Sequence, residues 1–179
     1  SFLNMGDNES AIDYLSDFSS DDEVVSSIAY GSLGDAYMNI GDFDNAIKFW
    51  TKAAFNSENN FTTPIYLKRA AMAHEEEGNI DIALEYYSSI KKDFAKSFSK
   101  SNLVLLCPIY AAGESRNPKF NHYEFAKLIS KFSKTQVIMI RNYKEIEKYL
   151  KKNLLDGEII IGMGAGVISK YMKELKTIL

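Results

Sequence analysis

The chain has a single cysteine, Cys107, and only two histidines, His74 and His122, in 179 residues. One thiol excludes an intramolecular disulfide. Its place inside the apolar run 103–109 suits a buried small hydrophobe in a reducing compartment. The histidines lie far apart in unlike stretches of sequence and do not form a metal pair. No apolar run approaches the roughly 18 residues that span a bilayer, and residues 1–8 lack the basic start and apolar run of a signal peptide. The chain opens without Met, in what reads as the tail of a helix, so an upstream segment is expected. A Gly-x-x-x-x-Gly-Lys-Ser/Thr phosphate loop is missing. These absences predict no catalytic residues, no metal ligands, no cofactor, no membrane segment and no nucleic-acid partner.

Apolar residues make up 46% of the chain, enough for a packed core. The net charge of −3 hides a split. Residues 1–98 hold 17 acidic and 7 basic side chains, a balance of −10, whereas residues 99–179 hold 7 acidic and 14 basic, a balance of +7. Such asymmetry fits two surfaces of unlike ancestry, a mutual electrostatic contact, or an anionic ligand of the basic half.

The acidic half repeats. Gly6, Gly41 and Gly78 each separate two helical patterns; Ala11, Ala46 and Ala83 follow five residues later, and Leu15, Trp50 and Tyr87 four after those. The middle copy is fullest, with Tyr30, Leu33, Gly34, Tyr37, Ala46, Trp50 and Ala53. Small residues at 34, 46 and 53 allow two antiparallel helices to approach closely, and the glycines between helices suit the positive φ of a helix end. The pattern predicts helices near 9–18, 22–40, 43–56, 63–77 and 80–93. Asp22 and Thr62 or Thr63 are the expected N-caps, and Pro64 suits a first turn.

This pattern resembles the tetratricopeptide repeat family, whose period is 34 residues. In detail it is most similar to envelope-associated bacterial repeat proteins of the ancillary-translocon type. The resemblance implies a scaffold that binds a protein or peptide on the concave face of the first helices, where Tyr30, Asn39, Lys68 and Arg69 are the candidate contacts. The run Glu75-Glu76-Glu77 reads as a solvated helix end.

The basic half alternates apolar runs with amphipathic stretches. Strands are expected at 103–109, at 135–140 and from 158 to 161, and helices at 123–132, 143–154 and 167–179, with Asn121 and Asn142 as caps. Crossovers of this length predict a three-stranded parallel sheet of Rossmann-like α/β type. Ligands of such sheets sit beyond the carboxyl ends of the strands. Those ends carry Tyr110 to Glu114, Arg141 and the Gly162-Met-Gly-Ala-Gly166 loop. The backbone before a helix at Gly164 and Gly166 suits an anion. Tyr110, Glu114, Arg141, Gly164 and Gly166 are therefore the candidate substrate-binding residues.

Two motifs at matching spacing, Tyr110-Ala-Ala-Gly-Glu114 and Met163-Gly-Ala-Gly166, resemble the end of the C-terminal domain of the Mur ligase family, in particular UDP-N-acetylmuramate–L-alanine ligases. That family joins alanine to an ATP-activated carboxylate during peptidoglycan precursor synthesis. Its phosphate loop and its His-rich motif are missing here, so the resemblance implies a catalytically incomplete remnant. ATP and magnesium would enter only if the remaining domains were supplied. The reading is thus a tetratricopeptide-like domain at 1–98 and a partial Mur-ligase-like α/β domain at 99–179, meeting near 97–101. A natural fusion, an engineered chimera and joined gene fragments all fit. The resemblances imply bacterial cytoplasm or its membrane face, and the small α/β half is expected to lean on the helical half, a second copy or a missing partner.

Overall fold

The computed structural model describes residues 2–109, 121–164 and 166–178. The chain forms two compact units, Ser1–Phe94 and Ala95–Leu179.

The first unit is built of helices: α1 (Phe2–Met5), α2 (Asn8–Ser16), α3 (Glu23–Asn39), α4 (Phe43–Asn56), α5 (Thr62–Glu76) and all but the last two residues of α6 (Ile80–Lys96). Each hairpin turn uses the same device. Gly6, Gly41 and Gly78 take φ of 78°, 79° and 80°. The following residue then donates its N–H back to a carbonyl five residues earlier, as Asp42 does to Tyr37 at 2.9 Å. This closes one helix while Asp42 opens the next by accepting the N–H of Asn45. Asp22 caps α3 as expected, accepting the N–H groups of Val24 and Val25.

The start of α5 departs from expectation. Thr62 is buried inside the helix, and Asn59 supplies the turn by accepting the N–H groups of Phe61 and Thr62. Thr63 instead donates its hydroxyl to the carbonyl of Ala54, tying α5 to the end of α4. The last helix of the repeats runs to Lys96, three residues beyond the expected end at 93.

The core of this unit gathers Ala46, Trp50, Ala53 and Ala54 from α4 with Tyr66, Leu67, Ala70 and Ala73 from α5. Alanines bring the helix backbones together, and two glycines of α3 complete the fit. A Cβ on Gly34 would overlap the Trp50 ring, and one on Gly31 would overlap the Tyr66 ring.

The second unit contains β1 (Leu103–Leu106), α7 (His122–Ser133), β2 (Gln136–Met139), α8 (Tyr143–Asn153) and α9 (Ile168–Ile178). The strands pair in parallel, Leu103 beside Gln136 through Leu106 beside Met139. Asn121 and Asn142 cap α7 and α8 as expected. Lys134, at φ 61°, ends α7, and the buried Thr135 hydroxyl lies 2.9 Å from the carbonyl of Phe98. Ile140, Ile146, Leu150 and Leu175 form the core.

The sheet has two strands, not the expected three. Residues 158–161 carry no ladder among the described residues. Ile159, Ile161 and Met163 are 87%, 76% and 72% exposed, whereas Ile160 packs on the core and Gly162 lies against Met172. The segment thus buries one face only. A run of three isoleucines reads as a strand covered on both sides, and here the second covering is lacking. β1 is also shorter than the apolar run that suggested it, and its four residues are half-buried. Cys107 is also only half-buried.

Candidate functional site

Helices α3 and α5 are neighbours in the first unit, joined by polar contacts around one carboxylate. Asp35 of α3 pairs with Arg69 of α5 and accepts the indole N–H of Trp50 at 2.9 Å. Arg69 also lies beside the Tyr66 ring. Burial raises the Tyr66 phenol above its ordinary pKa, against the pull of Arg69. Helical spacing extends this contact along both helices. Val24 and Ile28 continue the α3 stripe that holds Gly31 and Asp35, while Ile65 and Met72 flank Arg69 on α5. All four apolar side chains are more than two-fifths exposed. The result is a surface with an apolar rim around a charged centre.

The four residues singled out from the sequence fall in different settings. Lys68 is exposed on α5. Arg69 is tied to Asp35. Tyr30 packs against the helical core with the Lys52 ammonium 3.9 Å from its ring centre. Asn39 donates to Asn8 at 3.0 Å, bridging α3 to the start of α2. Asp35 and Gly31 were missed. The signal for the first was available, since Asp35 stands 34 residues before Arg69, close to one repeat.

In the second unit Tyr110 and Glu114 lie outside the described residues. Arg141 is exposed, with its backbone N–H donated to the Glu145 carboxylate at 2.8 Å. Gly164 and Gly166 take φ of 147° and 76°, which favour glycine, ahead of α9. Burial pushes the Cys107 thiol above its usual pKa, which disfavours the nucleophilic thiolate. Among the described residues no cluster of His, Cys, Asp and Glu could hold a metal ion. No helix among them is long and apolar enough to cross a membrane.

Comparison with known proteins divides the chain in the same way. Residues 28–54 and 67–97 match models of the tetratricopeptide repeat. The chain carries such repeats, and they imply a protein-binding scaffold. A separate similarity joins it to UDP-N-acetylmuramate–L-alanine ligases. The chain is 42% identical over 86 residues to that of Pelagibacter ubique (strain HTCC1062), covering 48% of this chain and 18% of the relative. It is 36% identical over 83 residues to that of Lachnospira eligens, covering 46% and 18%. For Caldanaerobacter subterraneus subsp. tengcongensis the figures are 32% over 92 residues, covering 49% and 20%. The chain therefore spans about a fifth of the length of these curated relatives. No solved structure matches it.

Proposed function

We propose that the helical unit is a docking platform for a protein or peptide and that the chain performs no catalysis by itself. The observation that carries this reading is the exposed α3–α5 surface, where Val24, Ile28, Ile65 and Met72 flank the Asp35–Arg69 pair, itself held by two matched tetratricopeptide repeats. An apolar face with a few fixed polar groups is what a peptide needs to gain both area and orientation. Lys68 and Arg69 are the proposed polar contacts, with Tyr30 and Asn39 supporting the helices beneath. We assign the repeats to residues 1–98 and the ligase-like domain to 99–179, and place the chain in the bacterial cytoplasm or at its membrane face.

The test is selection of peptides on the whole chain. Binders should lose about tenfold or more in affinity, at least 1.4 kcal/mol, on Ile28→Asp or Lys68→Glu with helix content unchanged. Peptides indifferent to both changes would overturn the reading.

The 42% identity over 86 residues favours a second reading, in which the second unit is part of an alanine-adding ligase. There Tyr110, Glu114, Arg141, Gly164 and Gly166 would bind substrate, and ATP and magnesium would be held by domains supplied in trans. Control of the phosphates supplies most of the rate in such chemistry, and the sequence lacks the loop that would grip them. The chain alone should therefore release no phosphate from ATP when given UDP-N-acetylmuramate and alanine. Alanine-dependent release that disappears in Glu114→Ala would establish the ligase reading instead.

A further inference from the structure

We propose that the peptide held by the helical unit is basic at one end, and that its arginine stacks on Phe61 beside the carboxylates of Glu23 and Glu58. The inference rests on the docking reading above and adds the chemistry of the ligand to it. Phe61 keeps right-handed helical dihedrals just ahead of α5, with φ −107° and ψ −62°. It therefore stands in line with Ile65, Lys68 and Met72, each three or four residues further on, and all four are exposed along one stripe. At 73% exposure Phe61 is the barest large apolar side chain among the described residues of the first unit. Its ring does nothing for the turn, because Asn59 makes that turn through the backbone N–H groups of Phe61 and Thr62.

Charge selects what covers the ring. Helices α3 and α5 lie side by side with partners 34 or 35 positions apart, Asp35 with Arg69 and Gly31 with Tyr66. The same offset brings Glu23 to the level of Glu58. The Asn56 amide donates to the Glu23 carbonyl at 3.0 Å, which fixes the start of α3 against the end of α4, just short of Glu58. Both carboxylates are exposed, and among the described residues neither enters an ion pair or a side-chain hydrogen bond. Asp21 and Asp22 stand beside Glu23, and the first 47 residues contain no lysine or arginine. On α4 the Lys52 ammonium is occupied over the Tyr30 ring, 3.9 Å from its centre. A bare aromatic face beside uncompensated carboxylates suits a guanidinium, which stacks by its plane and donates by its edge. An acidic partner meets repulsion here. Ile28 and Ile65 lie between this end and Lys68, so the peptide runs from its arginine over an apolar stretch toward Lys68. That span is about 10 Å along the helix, roughly three extended residues of the ligand.

The probes are random decapeptides displayed on phage and selected on the full chain. Binders are then synthesised with the arginine kept, or replaced by glutamate or by norleucine, and titrated by fluorescence anisotropy. A basic residue at one fixed end is expected, and glutamate in its place should weaken binding about tenfold or more. Phe61→Ala should weaken the arginine peptide by a similar factor, and Phe61→Trp should keep it. Glu23→Gln combined with Glu58→Gln should remove most of the preference for arginine and leave the norleucine peptide unchanged, a split that loss of structure does not produce. Peptides that need Ile28 yet show no preference for arginine overturn this inference and leave the docking reading standing. So do peptides that tolerate Phe61→Ala, or whose preference survives in the double variant. Peptides indifferent to Ile28→Asp and Lys68→Glu overturn both.

Discussion

Trp50 sits where three helices meet, its ring against Gly34 of α3 and its N–H on Asp35, which in turn holds Arg69 of α5. Emptying this site removes both area and a polar anchor. Trp50→Ala should cost about 3–5 kcal/mol in urea unfolding. Gly34→Ala poses opposing effects: helix propensity favours alanine by about 1 kcal/mol, but the added methyl must displace the indole, at about 1–3 kcal/mol. The variant is expected to be less stable than the parent. A residue-scale pH effect belongs to Asp42. The side-chain amide and backbone N–H of Asn45 both donate to its carboxylate and hold its pKa below the ordinary value. The ionised form is thus favoured by folding, so its contribution is present above the ordinary carboxylate pKa near 4 and is lost as pH falls through the lowered folded value. Melting curves of Asp42→Ala and the parent should differ at neutral pH and converge in acid.

At the scale of elements, the unpaired segment 158–163 makes the sharpest expectation. Ile160→Asp puts a charge against the core cluster it packs on and should destabilise the second unit by more than about 2 kcal/mol. Ile159→Asp changes an 87% exposed side chain and should stay within about 0.5 kcal/mol. Equal effects, measured by chemical denaturation, would mean that both faces are covered. The helices were legible because their signals are local: a glycine with positive φ and an alanine five residues on recur at Gly6, Gly41 and Gly78, with an aspartate cap at the first two. The caps Asn121 and Asn142 were legible on the same ground. A third strand was not, because a ladder depends on a partner elsewhere in the chain, and Ile159-Ile-Ile161 has the same spelling whether one face or two are covered. The Asn59 turn escaped notice since two adjacent threonines offered the more familiar cap. At the candidate site, Lys68 and Arg69 could be picked out as charges, and the 34-residue spacing from Asp35 to Arg69 hinted at their pairing, which the stacking of α3 on α5 completes.

The whole molecule is two small units with separate cores, one around Trp50 and Tyr66, the other around Ile146 and Leu150. Units of this size are stabilised only modestly by burial, and their charges of opposite sign, −11 for residues 1–94 and +8 for residues 95–179, act weakly once screened by salt. The chain has one tryptophan, and it lies in the first unit at 5% exposure. Nature has thereby labelled one half and left the other dark. Indole emission, excited at the red edge where tyrosine is silent, reports the repeats alone, whereas far-ultraviolet dichroism sums the helices of both units. Emission should begin at the short wavelengths of a sheltered indole and shift red at a denaturant midpoint distinct from that of dichroism. Superimposable curves would instead mean that the two cores melt as a single cooperative body.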